Sequence, residues 1–567
     1  MKNKEIAEIL YKIANFLEIK DVQFKPRAYR KAAQNIESLP EDIEKIYKRG
    51  ELEKIPGVGK NIAEKIRELL ETGSLKYYEK LKEEIPVDID GLSSVEGMGP
   101  KTIKNLYKEL GIKNLDELEK ALRDGKIRNI KGMGEKTEEK LLKNIEFARG
   151  KGKRGLLGFI LPEATAIKEL LEEKVDKISI AGSIRRMKET IGDVDILAVS
   201  SQPVKIMDFF TGMKNVETVI AKGETKSSVR LESGVQVDLR IVEKESFGSA
   251  LQYFTGSKEH NIEVRKIAVK KGYKLNEYGL FDKQRRIAGA TEEEIYRALG
   301  IDYIPPELRE NRGEVEAAMR GNLPNLIDYK DIKGDLQMHT KWSDGANTIE
   351  EMVDEARKIG HEFIAITDHV GTLKIAGGMD ENKIREQMKD VEKINEKNDG
   401  IHVLYGVEVN IMKDGNLDMD KSILKDVDVV VAGIHSSFRM LEGEMTARLI
   451  NAIENDVVNI IAHPTGRMIQ KREEIKLDLE KMLDAAKEND VVMEINAQPT
   501  RLDLSDIHSK KAVERGVKLS IGTDAHNRSN LHYIDLGVAV ARRGWAEKKD
   551  VINTYDIKKL EKLFEKH

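Results

Sequence analysis

Cysteine is absent from the 567 residues of this chain, and long apolar runs are absent too. The lack of cysteine excludes disulfides and thiolate-bound zinc, so a metal would need nitrogen and oxygen ligands. No segment approaches the roughly 18 consecutive apolar residues of a membrane span. The start of the chain predicts an amphipathic helix with acidic side chains rather than a signal peptide. We therefore expect a cytoplasmic protein without a membrane partner.

Histidine is scarce and unevenly distributed. Of 11 histidines, only His260 precedes residue 339. The composition, 40% hydrophobic and 35% charged, is that of ordinary globular domains, and the length should form several of them. The net charge of −4 argues neither for nor against nucleic acid, because an acidic protein can still contain a basic channel. Local motifs must therefore indicate the function.

Three Gly-x-Gly sequences interrupt the helical patterns of the first 150 residues: IPGVGK (55–60), VEGMGP (95–100) and IKGMGE (130–135). In a helix-hairpin-helix motif, amides at the following helix N-terminus bind a DNA phosphate without reading bases. One such sequence is more typical of a plain helix–helix turn, but three with lysines close behind favour DNA binding over a purely structural helical array. The predicted DNA-binding residues are Gly57, Gly59, Lys60, Gly97, Gly99, Lys101, Gly132 and Gly134.

Two strand-like segments carry aspartates. Asp193 and Asp195 are two residues apart, which on a strand places both carboxylates on one face, roughly 6–7 Å apart. Asp238 lies in the alternating segment 235–242, where the apolar residues should face the core and Asp238 the exposed side. An isolated Asp-x-Asp is more often a solvated strand edge. Here the turn at 182–186, with two arginines able to bind a triphosphate, favours nucleotidyl transfer assisted by two metal ions.

This pattern, with YFTGS at 253–257 and AYRK at 28–31, resembles the signature of family X DNA polymerases, the group that includes DNA polymerase beta. The resemblance covers roughly residues 1–316. It implies that Asp193, Asp195 and Asp238 hold catalytic Mg²⁺ or Mn²⁺ ions, and that Asp238 takes the proton of the 3′-hydroxyl. The nucleotide-binding residues that it implies are Gly182, Ser183, Arg186, Gly192, Tyr253, Gly256, Asn261 and Arg265.

Lys65 matches the lyase nucleophile of this family, which forms a Schiff base with the sugar aldehyde of an abasic site. That reaction requires a neutral amine. Asn61 stands where the family often has a phosphate-binding lysine, and Glu53 stands near a second position that is commonly basic. Because both changes remove positive charge, we expect lyase activity to be weak or absent.

From Gly334 onward, short apolar runs alternate with helical patterns, and five of the runs end at a histidine. This alternation predicts a parallel α/β barrel, in which the carboxyl ends of the strands carry the chemistry. A single histidine is more often a core or loop residue, but regular recurrence favours a metal cluster. Imidazole and carboxylate ligands suit Zn²⁺ or Mn²⁺, and two or three such ions can generate hydroxide for attack on a phosphodiester.

The order of these motifs resembles the PHP (polymerase and histidinol phosphatase) family of metal-dependent phosphoesterases, over residues 334–567. The family commonly begins with His-x-His, and Gln337 replaces the first imidazole, so we expect one of three metal sites to be loosely occupied. Glu408 would bridge two ions. The metal ligands that the resemblance implies are Gln337, His339, Asp344, His369, Glu408, His435, His463, Asp524 and His526.

The two resemblances together imply a multidomain fold: a helical N-terminal region with helix-hairpin-helix motifs, an α+β nucleotidyltransferase palm with a thumb, and a distorted β/α barrel. The predicted domains are a lyase-like domain (1–85), a fingers-like domain (86–150), a palm (151–256), a thumb-like domain (257–316), a linker (317–333) and a PHP domain (334–567).

The implied function is a DNA-directed DNA polymerase that fills short gaps in DNA repair, with gapped or primed DNA and dNTPs as partners. Its PHP domain would be a metal-dependent 3′→5′ exonuclease, with abasic-site endonuclease or 3′-phosphatase activity as further options. We expect a monomer. Three alternatives remain open: a structural PHP domain, a PHP domain acting on a small phosphate ester, and a non-templated nucleotidyltransferase fused to a phosphoesterase.

Overall fold

The computed structural model describes residues 3–565 except 21, 38, 40–42, 94, 96–97, 131–132, 135–136, 139–140, 143–144, 146–153, 374–375 and 398–399. Two compact units make up the chain. The first comprises residues 1–152 and 470–472, and the second comprises residues 153–469 and 473–567. Within the described ranges, no helix is both long enough and apolar enough to cross a membrane.

The first unit is helical and is built around one apolar core. Its helices bury residues at helical spacing, as Ile62, Ile66 and Leu69 do on one face of the fourth helix. Its helices with continuously described residues are α1 (Asn3–Ile19), α2 (Lys25–Glu37), α3 (Ile43–Lys48), α4 (Lys60–Thr72), α5 (Lys76–Glu84), α6 (Ile89–Ser93), α7 (Pro100–Leu110) and α8 (Leu115–Arg123).

The second unit begins with a two-stranded pair, β1 with β3, and a five-stranded mixed sheet in the order β2-β4-β7-β6-β5. Only the β4–β7 pair of the five-stranded sheet is parallel. The strands are β1 (Gly155–Leu156), β2 (Lys177–Ile180), β3 (Thr190–Ile191), β4 (Asp193–Val199), β5 (Val216–Lys222), β6 (Lys226–Leu231) and β7 (Gln236–Ile241). The helices are α9 (Leu157–Glu172), α10 (Gly182–Arg185), α11 (Pro203–Thr211) and α12 (Phe247–Thr255).

A smaller region follows, with a three-stranded antiparallel sheet in the order β10-β9-β8 and a core of its own. Its strands are β8 (Tyr273–Asn276), β9 (Gly279–Asp282) and β10 (Arg285–Ala288), and its helices are α13 (Lys258–Lys270), α14 (Glu292–Leu299) and α15 (Glu314–Arg320). The segment predicted as a linker begins inside α15, and its residue Ile327 is fully buried.

The remainder of the unit is a parallel barrel of seven strands, which neighbour one another in chain order. A parallel bridge between Met338 and Ala525 joins the extensions of its first and last strands. The strands are β11 (Gly334–Asp335), β12 (Phe363–Ile366), β13 (His402–Asn410), β14 (Val429–Gly433), β15 (Ile460–Ile461), β16 (Val492–Asn496) and β17 (Leu519–Gly522). The helices are α16 (Ile349–Ile359), α17 (Glu381–Glu396), α18 (Lys421–Leu424), α19 (Glu442–Ile453), α20 (Leu479–Glu488), α21 (Asp506–Arg515), α22 (Ile534–Arg543) and α23 (Ile557–Phe564).

Candidate active sites

Two of the Gly-x-Gly sequences lead directly into helices. Gly59 immediately precedes α4, and Gly99 immediately precedes α7. The side chains described around these two helix starts provide no cap, so the first amides point outward without a side-chain acceptor. Lys60 and Lys101 are exposed beside them. This arrangement matches the geometry in which helix N-termini bind a phosphate.

The other glycines predicted to bind DNA do not directly precede a helix whose bounds are described. Gly57 is exposed and adopts a left-handed conformation with φ of +80°. The carbonyl of Gly134 accepts hydrogen bonds from the amides of Thr137 and Glu138 at 2.9 and 3.1 Å. Gly97 and Gly132 lie outside the described residues.

Lys65 lies on α4 and is partly exposed. Its Nζ donates to the carbonyl of Asn61 at 3.1 Å and stands 4.8 Å from the ring centroid of Tyr77. The aromatic face attracts an ammonium group. The weak lyase activity expected from Asn61 and Glu53 stays a prediction.

The three aspartates of the second unit share one face of the five-stranded sheet. Asp193 and Asp195 are two residues apart on β4 and therefore point to the same face. The parallel register of β4 with β7 places Asp195 opposite Asp238. Burial, and then the neighbouring Asp193 carboxylate, raises the pKa of Asp195 to about 6. A carboxyl in that state requires a counter-charge to ionise readily, so the donor set fits a divalent cation. Gly182, with φ of +70°, passes so close that a β-carbon there would lie 3.0 Å from Asp195 Oδ2.

One detail of the aspartate prediction is wrong. Asp238 does face away from the core side chains of β7, together with Arg240, but it is buried rather than exposed. Lys226 and Arg240 stand 3.4 and 3.7 Å from the Asp238 carboxylate, and Gln236 donates to its Oδ1 at 2.9 Å. Phe254 of α12 lies against the Arg240 guanidinium. The alternation of β7 predicted the face of the strand on which Asp238 lies, but not the side chains that surround its carboxylate.

The turn that follows β2 contains the short helix α10, and the two arginines of this turn, Arg185 and Arg186, are both already paired. Arg185 donates to Thr255 Oγ1 at 2.7 Å and forms a two-pronged pair with Glu292 at 2.9 and 2.6 Å. Arg186 donates through Nε to Glu310 at 3.0 Å and through Nη1 to the carbonyl of Thr255. The neighbouring Ser183 is partly exposed. Arg185 therefore joins the sheet to the following region rather than facing a ligand.

The remaining predicted nucleotide-binding residues gather around the end of α12. Tyr253 is 37% exposed, so its ring is accessible. Asn261 accepts a hydrogen bond from Gln252 at 2.6 Å and donates to the Tyr253 carbonyl at 2.8 Å. Arg265 donates to the Asn261 carbonyl at 3.2 Å. A β-carbon on Gly256 would lie 3.1 Å from Arg186 Nη1, and Gly192 directly precedes β4.

The barrel brings its predicted ligands together at the carboxyl ends of the strands. Glu408 of β13 lies at the centre of this cluster and is 1% exposed. Its Oε1 is 2.9 Å from His435 Nε2 and 3.2 Å from His463 Nε2. Its Oε2 is 3.2 Å from His339 Nε2, which is also 3.2 Å from Asp524 Oδ1. Three imidazole nitrogens therefore lie within 3.2 Å of this one carboxylate, and His369 Nδ1 is 3.7 Å from its Oε2.

A second group of donors adjoins the first. His526 Nε2 is 3.4 Å from Asp344 Oδ1, and His369 Nε2 is 4.0 Å from Asp344 Oδ2. Three sets of donors each have their ligand atoms within 4.8 Å of one another. They are His339 with Asp344, His369 and His526; His369 with Glu408 and His435; and His339 with Glu408 and Asp524.

Buried donor atoms without partners indicate that this cluster fits metal ions. Across the described part of the chain, His339 Nδ1 and Nε2, His369 Nδ1 and Gln337 Oε1 have no hydrogen-bond partner. Buried polar atoms without a hydrogen-bond partner destabilise the fold unless they bind a ligand such as a metal ion. His463 and Asp524 also adopt left-handed backbone conformations, with φ of +30° and +50°, strain that is typical of functional sites. The donor set therefore fits divalent metal ions.

Gln337 occupies the position expected for it but does not act as an imidazole would. Its Nε2 donates to Glu408 Oε2 at 3.0 Å, whereas its Oε1 is buried without a partner. An amide oxygen is a neutral and weaker ligand than a ring nitrogen. The part of the cluster next to Gln337 is therefore the one with the weakest donor set.

Three further buried polar residues of the cluster were not predicted from the sequence. Glu494 of β16 is 1% exposed, and its Oε2 accepts the amide of His463 at 2.6 Å. Burial, and then the Asp524 carboxylate, raises its pKa well above the usual range. Asn496 donates to Asp524 Oδ2 at 3.0 Å, and the Asn410 oxygen lies 3.3 Å from His435 Nδ1. The available signal was polar residues two apart inside apolar strands.

Comparison with known protein families agrees with this architecture. Residues 1–75 match a helix-hairpin-helix domain, and residues 89–146 match a SAM-like helix-hairpin-helix tandem. Residues 250–310 match the DNA polymerase beta thumb, and residues 335–498 match the PHP domain. The fold class predicted from the sequence is thereby confirmed. Fold and sites define the class: a DNA polymerase fused to a PHP barrel that contains candidate divalent-metal ligands.

Individual relatives narrow the class further. The chain is 38% identical to the DNA polymerase/3′-5′ exonuclease PolX of Bacillus subtilis (strain 168), with the full length of both chains covered. It is 25% identical to DNA polymerase lambda of Rattus norvegicus over 54% of this chain and 56% of that protein. It is 34% identical to a probable phosphatase of Thermoanaerobacter sp. (strain X514), over 39% of this chain and 89% of the relative. The chain belongs to the family X DNA polymerases with a C-terminal PHP domain.

Proposed function

We propose that the chain is a template-directed DNA polymerase that fills short gaps during DNA repair. The observation that carries this proposal is the shared face of Asp193, Asp195 and Asp238, joined by register across β4 and β7. Divalent ions held there, Mg²⁺ or Mn²⁺, would activate the primer 3′-hydroxyl and stabilise the leaving pyrophosphate. Full-length similarity to a DNA polymerase supports the proposal.

The residues around α12 have distinct roles in this proposal. Asp238 accepts the proton of the 3′-hydroxyl. Ser183 and Arg186 bind the triphosphate, and Tyr253 and Gly256 lie against the sugar. These roles require Arg186 to exchange its Glu310 contact for a phosphate oxygen, since its Nε is bound to that carboxylate at 3.0 Å. Asn261, held by Gln252, presents its edge to the base.

The helix-hairpin-helix residues hold DNA through its backbone. Exposed lysines stand beside two uncapped helix starts, at Gly59 and Gly99. Contacts of this kind neutralise phosphates without reading bases, so binding is sequence-independent and weakens as salt rises. Gapped or primed DNA supplies the phosphates for these contacts.

We also propose that the PHP barrel is a 3′→5′ exonuclease that uses Mn²⁺ or Zn²⁺. Ions held around Glu408 would supply hydroxide for attack on the terminal phosphodiester. The chain's own contribution is a buried, rigid donor set: Glu408 is fixed by three imidazoles and by Gln337. The similarity to an enzyme named as both polymerase and exonuclease supports this substrate over a small phosphate ester.

The alternative that a specific observation favours is a structural PHP barrel. The barrel is packed against the polymerase region through buried ion pairs, such as Arg543 with Glu310 at 3.0 Å. A purely structural role predicts that His339→Ala lowers stability and leaves nuclease activity unchanged. Metal content and nuclease rate measured on the same preparation distinguish the two roles.

A primer-extension assay tests the polymerase proposal directly. A 5′-labelled gapped duplex is incubated with Mg²⁺ and either the four dNTPs or one dNTP at a time. We expect template-matched addition by the wild type and none by Asp193→Ala, because that variant lacks one of the three carboxylates. Omitting the template strand separates this from a non-templated transferase. Addition that ignores the template, or that survives Asp193→Ala, would contradict the proposal.

A further inference from the structure

Residues 186–189, at the end of the predicted nucleotide-binding turn, form hydrogen bonds with the PHP barrel. Arg543, the last residue of α22, donates through Nη1 to the carbonyl of Arg186 at 2.6 Å and to Glu310 Oε1 at 3.0 Å. Its side chain is 3% exposed. A second barrel residue, Arg467, pairs with Glu189 at 2.8 Å. Two arginines from the barrel therefore hold the stretch that begins with Arg186.

The packing around these contacts is tight. Gly158 of α9 approaches the barrel so closely that a β-carbon there would lie 2.7 Å from Pro499 and 2.8 Å from Leu536. Arg543 is itself anchored, since its Nη2 donates to Asp506 at 2.6 Å, and Arg312 donates to the same carboxylate at 2.9 Å. Close-packed interiors transmit position well, so the place of Arg543 is determined by the barrel.

Glu310 connects Arg543 to the predicted nucleotide-binding residue Arg186. It is largely buried, and three cations surround it: Arg186 at 3.0 Å, Arg543 at 3.0 Å and Lys188 at 3.8 Å. Burial opposes ionisation, but Arg543 and Arg186 together hold the pKa of Glu310 below its usual range. If Arg186 turns toward a triphosphate, Glu310 still has Arg543. Without Arg543, a buried carboxylate would retain Arg186 as its main partner, and nucleotide binding would have to break that pair.

We propose that Arg543, a residue of the PHP barrel, is a positioning residue for nucleotide binding at the polymerase site: it fixes the backbone of Arg186 and neutralises Glu310, so that the Arg186 guanidinium can bind the triphosphate. The inference rests on the proposed polymerase function. It makes the barrel part of the nucleotide site, in addition to any chemistry of its own.

Arg542 provides a matched control on the same helix. It also joins the barrel to the polymerase region, donating to Glu307 at 2.8 Å and to the Ile327 carbonyl at 2.5 Å. These partners are distinct from Arg186 and Glu310. Arg542→Met therefore perturbs the same packing and removes the same charge without changing the contacts of the nucleotide-binding turn.

Single-nucleotide addition on a primed template tests the inference, using the full-length wild type, Arg543→Met, Arg543→Lys and Arg542→Met. We expect Arg543→Met to raise the KM for dNTP at least about tenfold, the effect of losing one hydrogen bond to a charged group, with kcat changing less. Arg543→Lys should lie between wild type and Met, because lysine keeps the charge but not both contacts. Arg542→Met should keep the wild-type KM. Exonuclease activity and the thermal unfolding midpoint are recorded for each variant.

Each outcome either supports or overturns the positioning role of Arg543. An unchanged KM in Arg543→Met overturns the inference, and so does an equal rise in both Met variants, which would indicate a general effect of packing. If Arg543→Met does not fold, an unchanged KM in Arg543→Lys overturns it instead. A wild type that adds no nucleotide refutes the proposed polymerase function, and the inference falls with it.

Discussion

Glu292 is the acidic centre of a buried ion cluster, and its removal should make the stability of the protein depend differently on pH. The carboxylate is 4% exposed and accepts hydrogen bonds from Arg309 at 2.6 Å and from Arg185 at 2.9 and 2.6 Å. It thereby joins the turn beside the nucleotide site to the region that matches the polymerase thumb. The perturbation is Glu292→Gln, which keeps the shape and mimics the protonated acid.

The contribution of ionised Glu292 to the free energy of unfolding follows from its pKa. Burial opposes ionisation of Glu292, but Arg309 and Arg185 lower the pKa of this carboxyl from 4.5 to about 2. A shift of that size corresponds to about 3 kcal/mol of stabilisation by the ionised form. Because the folded pKa is depressed, the contribution is fully present above the unfolded pKa of 4.5 and is lost as pH falls toward 2.

The assay is chemical unfolding of wild type and Glu292→Gln at pH 7 and at pH 3.5. We expect the difference in unfolding free energy between the two proteins to narrow by about 1.4 kcal/mol at the lower pH. The control is Glu293→Gln, an exposed change on the same helix that should stay within about 0.5 kcal/mol of wild type at both pH values. An equal difference between wild type and Glu292→Gln at both pH values would refute the reasoning.

Two further predictions concern single residues. Gln337→His should supply the missing ring nitrogen, so that more metal per chain survives dialysis against a chelator, as measured by elemental analysis; an unchanged metal content would mean that the amide already serves as a full ligand. Lys65 should give little or no covalent adduct when the protein is reduced with borohydride on abasic DNA, because its amine is bound to Asn61 and faces Tyr77; a strong adduct that disappears in Lys65→Ala would contradict this.

The local arrangement of both candidate sites was predictable because it depends on periodicity. Aspartates two apart on a strand share a face, so Asp193 and Asp195 had to point the same way. Parallel strands present their carboxyl ends at one edge, so histidines that follow successive strands converge. Glu408 lies at the centre of that convergence because β13 lies between the strands that lead to His369 and His435.

The partners of the arginines were not predictable, because they come from distant parts of the chain. Arg185 meets Glu292 across 107 residues, and Arg186 meets Glu310 across 124. The contact of Asp238 with Lys226 of β6, at 3.4 Å, is likewise not indicated by any pattern in β7. Glu494 and Asn496 are two residues apart in the apolar strand β16, but only the closed barrel brings Glu494 close to the Asp524 carboxylate.

In the proposed function, the barrel cuts DNA at a 3′ end independently of the polymerase site. The most direct test incubates Asp193→Ala with a 5′-labelled gapped duplex and Mn²⁺, without nucleotides, and follows primer length. We predict stepwise shortening that disappears in the Asp193→Ala, His339→Ala double variant. A primer that stays intact while Asp193→Ala still binds metal, or shortening that survives the loss of His339, would contradict the account.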